Sequence, residues 1–234
     1  DPADCGPACI SLSQDVQGEV FDYPEEFFKE RVHIIRRPRP DNFQLKEAAE
    51  MIKNSKNPII ISGGGVFYSD AMDELGAFAA KHNIPVTQTV MGYSTMKRDH
   101  SHFLGPIGGL GGKAANNFAK QTDLAIAIGT KLGDFTTGSW ANFENPDFSL
   151  VSINVARFDA NKHMAQSVIG DAKVSLTELS QILGDWKAPE DWYKKSRDEL
   201  KSWNEYIDKE SGPTNQELPS YAHAVGAIYR NSDP

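Results

Sequence analysis

The sequence predicts an α/β protein: a doubly wound, mainly parallel sheet with helices on both faces. Three observations carry that prediction. Short apolar runs recur at residues 59–62, 84–89, 124–128, 149–154 and 167–169, separated by stretches with helical periodicity or turn residues. The runs are rich in Ile and Val and do not alternate with polar residues, as expected of strands covered on both faces. Glycines follow several of them, at Gly63, Gly129 and Gly170, where a strand hands over to a helix. Strands alternating with helices imply right-handed crossovers.

Taken in order, residues 6–13 read as a strand and residues 14–24 as the loop that leaves it. On such a strand Cys5 and Cys9 would share a face about 13 Å apart, at roughly 3.3 Å per residue. That is too far for a disulfide, and no further ligands accompany them for a metal, so two reduced thiols are expected. With no helix ahead to cover it, this strand reads as the tail of a preceding domain. Residues 25–40 run to Arg36-Arg-Pro-Arg-Pro40, an extended linker whose arginines are read as solvated rather than as an anion site.

Asp41 or Asn42 can cap a helix in which Leu45, Ala48, Ala49 and Ile52 form one buried face. Ser69 or Asp70 starts the next helix, with Met72, Leu75, Phe78 and Ala79 inward and Asn83 in the left-handed position at its end. The chain is organised around residues 105–140: a loop with Gly105, Gly108, Gly109, Gly111 and Gly112, a helix bearing Ala114, Ala115, Phe118 and Ala119, the strand 124–128 and the loop 129–140. Glycines ahead of a helix let an anion or a neighbouring backbone approach free N–H groups. Packing a helix onto a sheet also demands them, and the glycines alone favour that use. A helical turn near residues 159–164 and a helix over 174–183, stopped by Gly184, follow. A charged helix then runs from 190 to about 207 with Trp192, Leu200, Trp203 and Ile207 along one side. Leu218, Tyr221, Ala222, Val225, Ile228 and Tyr229 mark a last amphipathic helix.

At 234 residues the chain can hold one full core with arms. A net charge of −8 and a pI near 5.3 deny it the cationic stripe of a nucleic-acid or membrane-surface binder. Its apolar runs are only strand-length and its first residues show no signal-peptide pattern, so a cytoplasmic protein is expected.

Motif by motif, complete chemistry is absent. Gly63-Gly-Gly65 sits where a dinucleotide fingerprint should, yet its third glycine falls on Tyr68 and residues 87–90 offer no acid for a ribose. Gly112-Lys113 lacks the spacing and the Ser or Thr of a phosphate-binding Walker loop. Neither Ser69 nor Ser139 sits in a Gly-x-Ser-x-Gly elbow, and His100 and His102 find no third ligand. Asp134 and Asp171 each follow a glycine at a strand end, where a turn accepting backbone N–H groups is the simplest use. No catalytic residue and no metal ligand set is assigned.

Together, residues 6–12, Gly63-Gly-Gly65, residues 104–108 with Gly111, Ala114-Ala-Asn116, residues 123–129, Asp134 with Thr137-Gly138, Ser152-Ile-Asn154 and Gly170-Asp171 resemble the central domain of thiamine-diphosphate enzymes of the acetohydroxyacid synthase type. Within that superfamily, residues 14–19, 22–28, 36–38 and 134–140 look most like a hydrolase branch that opens a cyclic dione in myo-inositol breakdown. The resemblance implies an enzyme of three α/β domains, a homo-oligomer (dimer or tetramer). It would bind thiamine diphosphate and Mg²⁺ between the first and third domains of two subunits.

Residues 1–24 would then be the tail of the pyrimidine-binding domain and 25–40 a linker. Residues 41–185 would be the central domain, 186–213 a helical connector and 214–234 the entry to the diphosphate-binding domain. The family's activating glutamate and Gly-Asp-Gly motif would lie outside the chain, leaving it inactive without its missing domains. Some relatives bind FAD or ADP in this domain. The matching positions are Gly63, Gly64, Gly65, Gly108, Gly111, Gly129, Lys131, Asp134, Asn154 and Asp171. Leu110, Lys131 and Gly133 stand where a flavin-binding relative has His, Arg and Asp, which argues against FAD and leaves weak ADP or phosphate binding. Two other readings stay open: a carboligase or decarboxylase like acetohydroxyacid synthase, and a self-sufficient nucleotide-binding module.

Overall fold

In the computed structural model, which describes residues 6–232, six strands form one sheet in the order β3-β2-β1-β4-β5-β6, and every neighbouring pair is parallel. The strands are β1 (Pro58–Ser62), β2 (Val86–Gln88), β3 (Phe103–Pro106), β4 (Leu124–Ile128), β5 (Ser149–Asn154) and β6 (Gln166–Ile169). The helices are α1 (Gln14–Gly18), α2 (Asn42–Asn54), α3 (Gly64–Tyr68), α4 (Met72–His82), α5 (Lys113–Ala119), α6 (Asp134–Thr137), α7 (Arg157–Ala160), α8 (Ala172–Leu183), α9 (Glu190–Glu210) and α10 (Tyr221–Arg230).

Strand side chains point alternately to the two faces, and the central strands are apolar on both, so two cores form. Ile60, Ile126, Ile128, Val151 and Ile153 pack under α2, α4 and α8, against Leu45, Ile52, Leu75, Phe78 and Leu179. Ile59, Ile61, Ala125 and Ala127 pack on the other face against Phe118 of α5 and Trp192 of α9. The charged helix is therefore fastened to the sheet. Trp192 stacks on Phe118 at 3.8 Å between ring centroids and donates its indole N–H to the carbonyl of Pro58 at 2.9 Å. Tyr193 stacks on His102, and Arg197 donates to the carbonyl of Phe103 at 2.7 Å.

Local signals placed most boundaries. Asp41 caps α2 by accepting from the N–H groups of Phe43 and Gln44, and Asn83 closes α4 at φ 57°. Several segments differ from expectation, and residues 14–24, read as a loop, open with α1. Residues 6–13 are not a strand: Ile10 and Leu12 are exposed and no ladder partner adjoins them, so the segment stays extended coil before α1. The face-sharing of Cys5 and Cys9 goes with it; Cys9 is an exposed free thiol and Cys5 lies outside the described residues.

The Gly-rich stretch begins with a strand, β3, short and at the sheet edge, with Gly105 at φ 107° and Pro106 within it, all of which weaken the strand signal. The triple glycine opens α3, so α4 starts later, after Ala71, while Asp70 occupies a left-handed turn at φ 52°. Of the linker arginines, Arg36 and Arg39 are exposed as expected, Arg39 pairing with Glu178, whereas Arg37 is engaged, donating to the carbonyl of Ser69 and to Asp171 at 3.2 Å. The buried Pro40 and the carbonyl of Pro38, which accepts from the N–H of Asp171, complete this strap.

Candidate functional site

Strand order reverses between β1 and β4, and in open α/β sheets that reversal leaves a crevice at the carboxyl ends of the strands. Here the glycines of the two loops fill it with backbone. The N–H of Gly63 donates to Ile128 and that of Gly65 to Gly129, at 2.8 and 2.9 Å. A Cβ on Gly63 would lie 2.4 Å from the carbonyl oxygen of Gly129, and one on Gly65 would lie 2.6 Å from its Cα. Gly129, at φ 60°, turns sharply enough to permit this approach. Gly64 faces the backbone of Met91 in the turn after β2, 2.9 Å from where its own Cβ would be.

The second glycine cluster closes in the same way. Gly108, at φ 103°, packs on the carbonyl of Phe135, which accepts the N–H of Gly109 at 2.7 Å. Gly111 folds back on Ile107, and Gly112 lies under the Trp203 indole. Asn116 spans Gly108 by accepting its N–H at 2.9 Å and donating to its carbonyl at 3.0 Å. That clamp was visible in the sequence only as the polar residue after Ala114-Ala115.

The other site positions divide. Asn154 donates to Thr130 at 3.2 Å and accepts from the N–H of Ala156, which joins the ends of β4 and β5. Asp134, exposed at the start of α6, accepts from the Ser139 hydroxyl at 2.9 Å, and Lys131 is exposed on the intervening loop. Asp171 is buried at the end of β6, where it caps α8 through the N–H groups of Lys173 and Val174 and pairs with Arg37. Gly63, Gly64, Gly65 and Gly129 thus meet at the reversal. Gly108 and Gly111 join them through the loop that carries Lys131 and Asp134, and Asp171 stands apart at the sheet edge.

Cavities open elsewhere: one of about 520 Å³ is lined by Met51, Trp140, Phe148 and His163 near the amino ends of β5 and β6, another of about 330 Å³ by residues between Gly212 and Arg230. Among the described residues three buried side-chain oxygens lack a partner: Gln88 Oε1 where β2 ends, Ser175 Oγ beside Gly170 after β6, and Glu74 Oε2 in α4. Two histidines are perturbed. Burial, then the neighbouring His100 and Arg197, pushes His102 down to about 4. His82, fully buried between the Ser180 hydroxyl and the Trp186 carbonyl, is lowered chiefly by burial.

The sheet order and glycine contacts define a doubly wound, parallel α/β domain whose crevice is filled by its own backbone. A family model described as the central domain of thiamine pyrophosphate enzymes matches residues 45–179, and the chain belongs to that family.

Among curated proteins, it is 49% identical over 183 residues to 3D-(3,5/4)-trihydroxycyclohexane-1,2-dione hydrolase of Clostridium perfringens, covering 78% of this chain and 29% of that one. The protein of the same name from Bacillus subtilis is 46% identical over 188 residues, 80% of this chain and 30% of the relative. That from Geobacillus thermodenitrificans is 39% identical over 241 residues, 97% of this chain and 37% of the relative. The chain thus spans about a third of the length of these relatives.

Among the described residues, no group of three or more His, Cys, Asp or Glu side chains is placed to hold a metal ion. The buried carboxylate Asp171 is committed to its cap and to Arg37. No catalytic step is assigned to these residues.

Proposed function

We propose that this chain is the central scaffold of a thiamine-diphosphate- and Mg²⁺-dependent hydrolase that opens the ring of 3D-(3,5/4)-trihydroxycyclohexane-1,2-dione in myo-inositol degradation. In this reading the whole enzyme is a cytoplasmic homo-oligomer, and residues 41–185 form the middle of its three domains. The observation that carries the reading is the 49% identity to a hydrolase of that name, over a stretch of 183 residues, longer than the family match. The cofactor supplies a carbanion equivalent for carbon–carbon cleavage, and its binding groups belong to the flanking domains. This chain's part is to hold those domains in register.

The test is a pair of measurements. The full-length gene product, loaded with thiamine diphosphate and Mg²⁺, is expected to hydrolyse the dione, and residues 1–234 alone to show neither saturable cofactor binding nor turnover. Carboligation of 2-oxoacids without dione hydrolysis by the full-length protein would refute the assignment, and cofactor-dependent turnover by the segment would refute the scaffold role.

The same reading gives Gly63, Gly64, Gly65, Gly108, Gly111, Gly129, Lys131, Asp134, Asn154 and Asp171 a vestigial nucleotide-binding character, with weak ADP or phosphate binding at most and no flavin. Glycines spent on backbone contact and an Asp171 engaged by Arg37 support this. Flavin absorbance of the purified protein, and ADP titration followed at the amides of Gly64, Gly109 and Lys131, check it. A yellow protein would overturn the exclusion of flavin.

A further inference from the structure

The link between α8 and α9 is held by two histidines from elsewhere in the chain. It opens on Gly184, at φ 61° with no heavy atom within 4 Å of where a Cβ would lie, and closes on Pro189 ahead of α9. His82, the last residue of α4, donates from Nδ1 to the carbonyl of Trp186 at 2.8 Å, and its own carbonyl accepts the N–H of Ala188 at 2.9 Å. Asn83 donates to the Ala188 carbonyl at 3.4 Å and to the Glu190 carboxylate at 3.2 Å. His102, ahead of β3, holds that Asn83 at 3.3 Å and stacks on Tyr193 in the first turn of α9, whose hydroxyl donates to the carbonyl of Ser101 at 3.1 Å. Both imidazoles thus converge on one short stretch of backbone.

Their partners fix both rings as neutral tautomers. The Trp186 carbonyl and the Asn83 side-chain oxygen only accept, so His82 carries its proton on Nδ1 and His102 on Nε2. The other nitrogen of each accepts from a serine hydroxyl, His82 from Ser180 at 2.9 Å and His102 from Ser101 at 2.9 Å. A second proton is poorly received at either ring. Ser180 Oγ already accepts from the Lys81 ammonium at 3.2 Å, and Lys187 adds positive charge beside His82. His102 faces the His100 ring at 5.7 Å and the guanidinium of Arg197 on α9, while the Glu190 carboxylate meets the Asn83 amide rather than an imidazole. His82 is fully buried and His102 is 7% exposed, so neither charged ring could reach water without the link moving.

We propose that residues 184–190 form a proton-sensitive latch: neutral His82 and His102 hold it shut, and their protonation frees the link and the Tyr193 side chain while the sheet stays folded. The division follows from what holds the rest. α9 is fastened to the opposite face by the Trp192 stack on Phe118 and the indole bond to Pro58, and β1 and β4 by their ladder, none of which takes up a proton in the range where a histidine does. Gly184 gives the freed link a pivot with open space around it. The latch is independent of the reaction the full enzyme performs.

The test is amide hydrogen exchange of the full-length protein, read by mass spectrometry and corrected for the intrinsic chemical rate. Between about pH 7.5 and about pH 4.5, exchange in a peptide spanning residues 184–190 is expected to rise at least about tenfold, while peptides spanning β1 and β4 keep their protection. His82→Gln and His102→Gln should each shrink the rise, and Glu190→Gln should leave it in place. Where a histidine variant does not fold, the profile of the parent protein decides. Exchange at the link that ignores pH overturns the proposal, as does an equal rise in β1 and β4, which would be global unfolding. A rise abolished by Glu190→Gln overturns it too, by moving the proton to the carboxylate.

Discussion

Replacing Gly63 with Ala separates the packing use of the glycines from a ligand use. The backbone there, at φ −114° and ψ −178°, suits any residue, so the whole effect is steric. The new methyl group would sit 2.4 Å from the Gly129 oxygen, 2.5 Å from the Thr130 Cβ and 2.8 Å from its Cα. Ordinary contacts begin near 3.5 Å, so the loops after β1 and β4 must part by about 1 Å. That movement pulls on two hydrogen bonds, Gly63 to Ile128 and Gly65 to Gly129. Overpacking costs about 1–3 kcal/mol and the two weakened bonds about 0.5 kcal/mol each, giving about 2–4 kcal/mol in all. At about 2–4 °C per kcal/mol for a domain of this size, the melting midpoint should fall by roughly 5–15 °C. The control is Gly133→Ala, where no heavy atom lies within 4 Å of the added Cβ; it should be neutral or stabilise by up to about 1 kcal/mol. Calorimetry or urea unfolding of both variants reads the difference. A Gly63→Ala protein as stable as the parent would refute the closed crevice.

Three further perturbations test how the outer layers are fastened. Trp192→Ala, which removes the stack on Phe118, should cost about 3–5 kcal/mol in urea unfolding, whereas Trp192→Phe, which leaves only the Pro58 carbonyl unpaired, should cost about 1–3 kcal/mol. Arg37→Ala should lower stability by about 1–2 kcal/mol by removing the partner of the buried Asp171 carboxylate and of the Ser69 carbonyl, read by urea unfolding; a variant as stable as the parent would refute the strap. Acid should loosen the sheet edge before carboxylates titrate. With His102 held near 4 in the fold and near 6.5 unfolded, the unfolded chain binds more protons between those values, so stability is full above pH 6.5 and falls as pH drops toward 4. The loss approaches about 3 kcal/mol for His102, and His82 adds in the same direction. His102→Gln should flatten the unfolding profile over that window, and an unchanged slope would refute the assignment.

Where burial is periodic, the sequence announced the structure. The Ile-rich run of β1 and the alanines of β4 read as doubly covered strands because residues of both parities are apolar. Asp41 and Asn83 placed helix ends through capping chemistry that is local to a few residues. Residues 6–13 show the limit: their apolar pattern records a need for cover, but only a partner strand turns such a pattern into a strand, and none adjoins it among the described residues. β3 was hidden for the opposite reason. Its place at the edge tolerates Gly105 and Pro106, the two residue types that erase a strand signal.

The glycines pose the harder problem, because an absent Cβ looks the same in sequence whether the space is taken by a phosphate or by a neighbouring backbone. Distance resolves it. At Gly63, Gly65 and Gly108 the nearest atoms belong to the chain itself, at 2.4, 2.6 and 2.1 Å from where the missing Cβ would be. At Gly133 nothing lies within 4 Å of an added Cβ, so packing places no demand on that position. Backbone closure at the sheet reversal therefore accounts for Gly63, Gly65 and Gly129 whether or not a ligand binds, and it is the Gly63→Ala and Gly133→Ala pair that separates the constrained glycines from the free one.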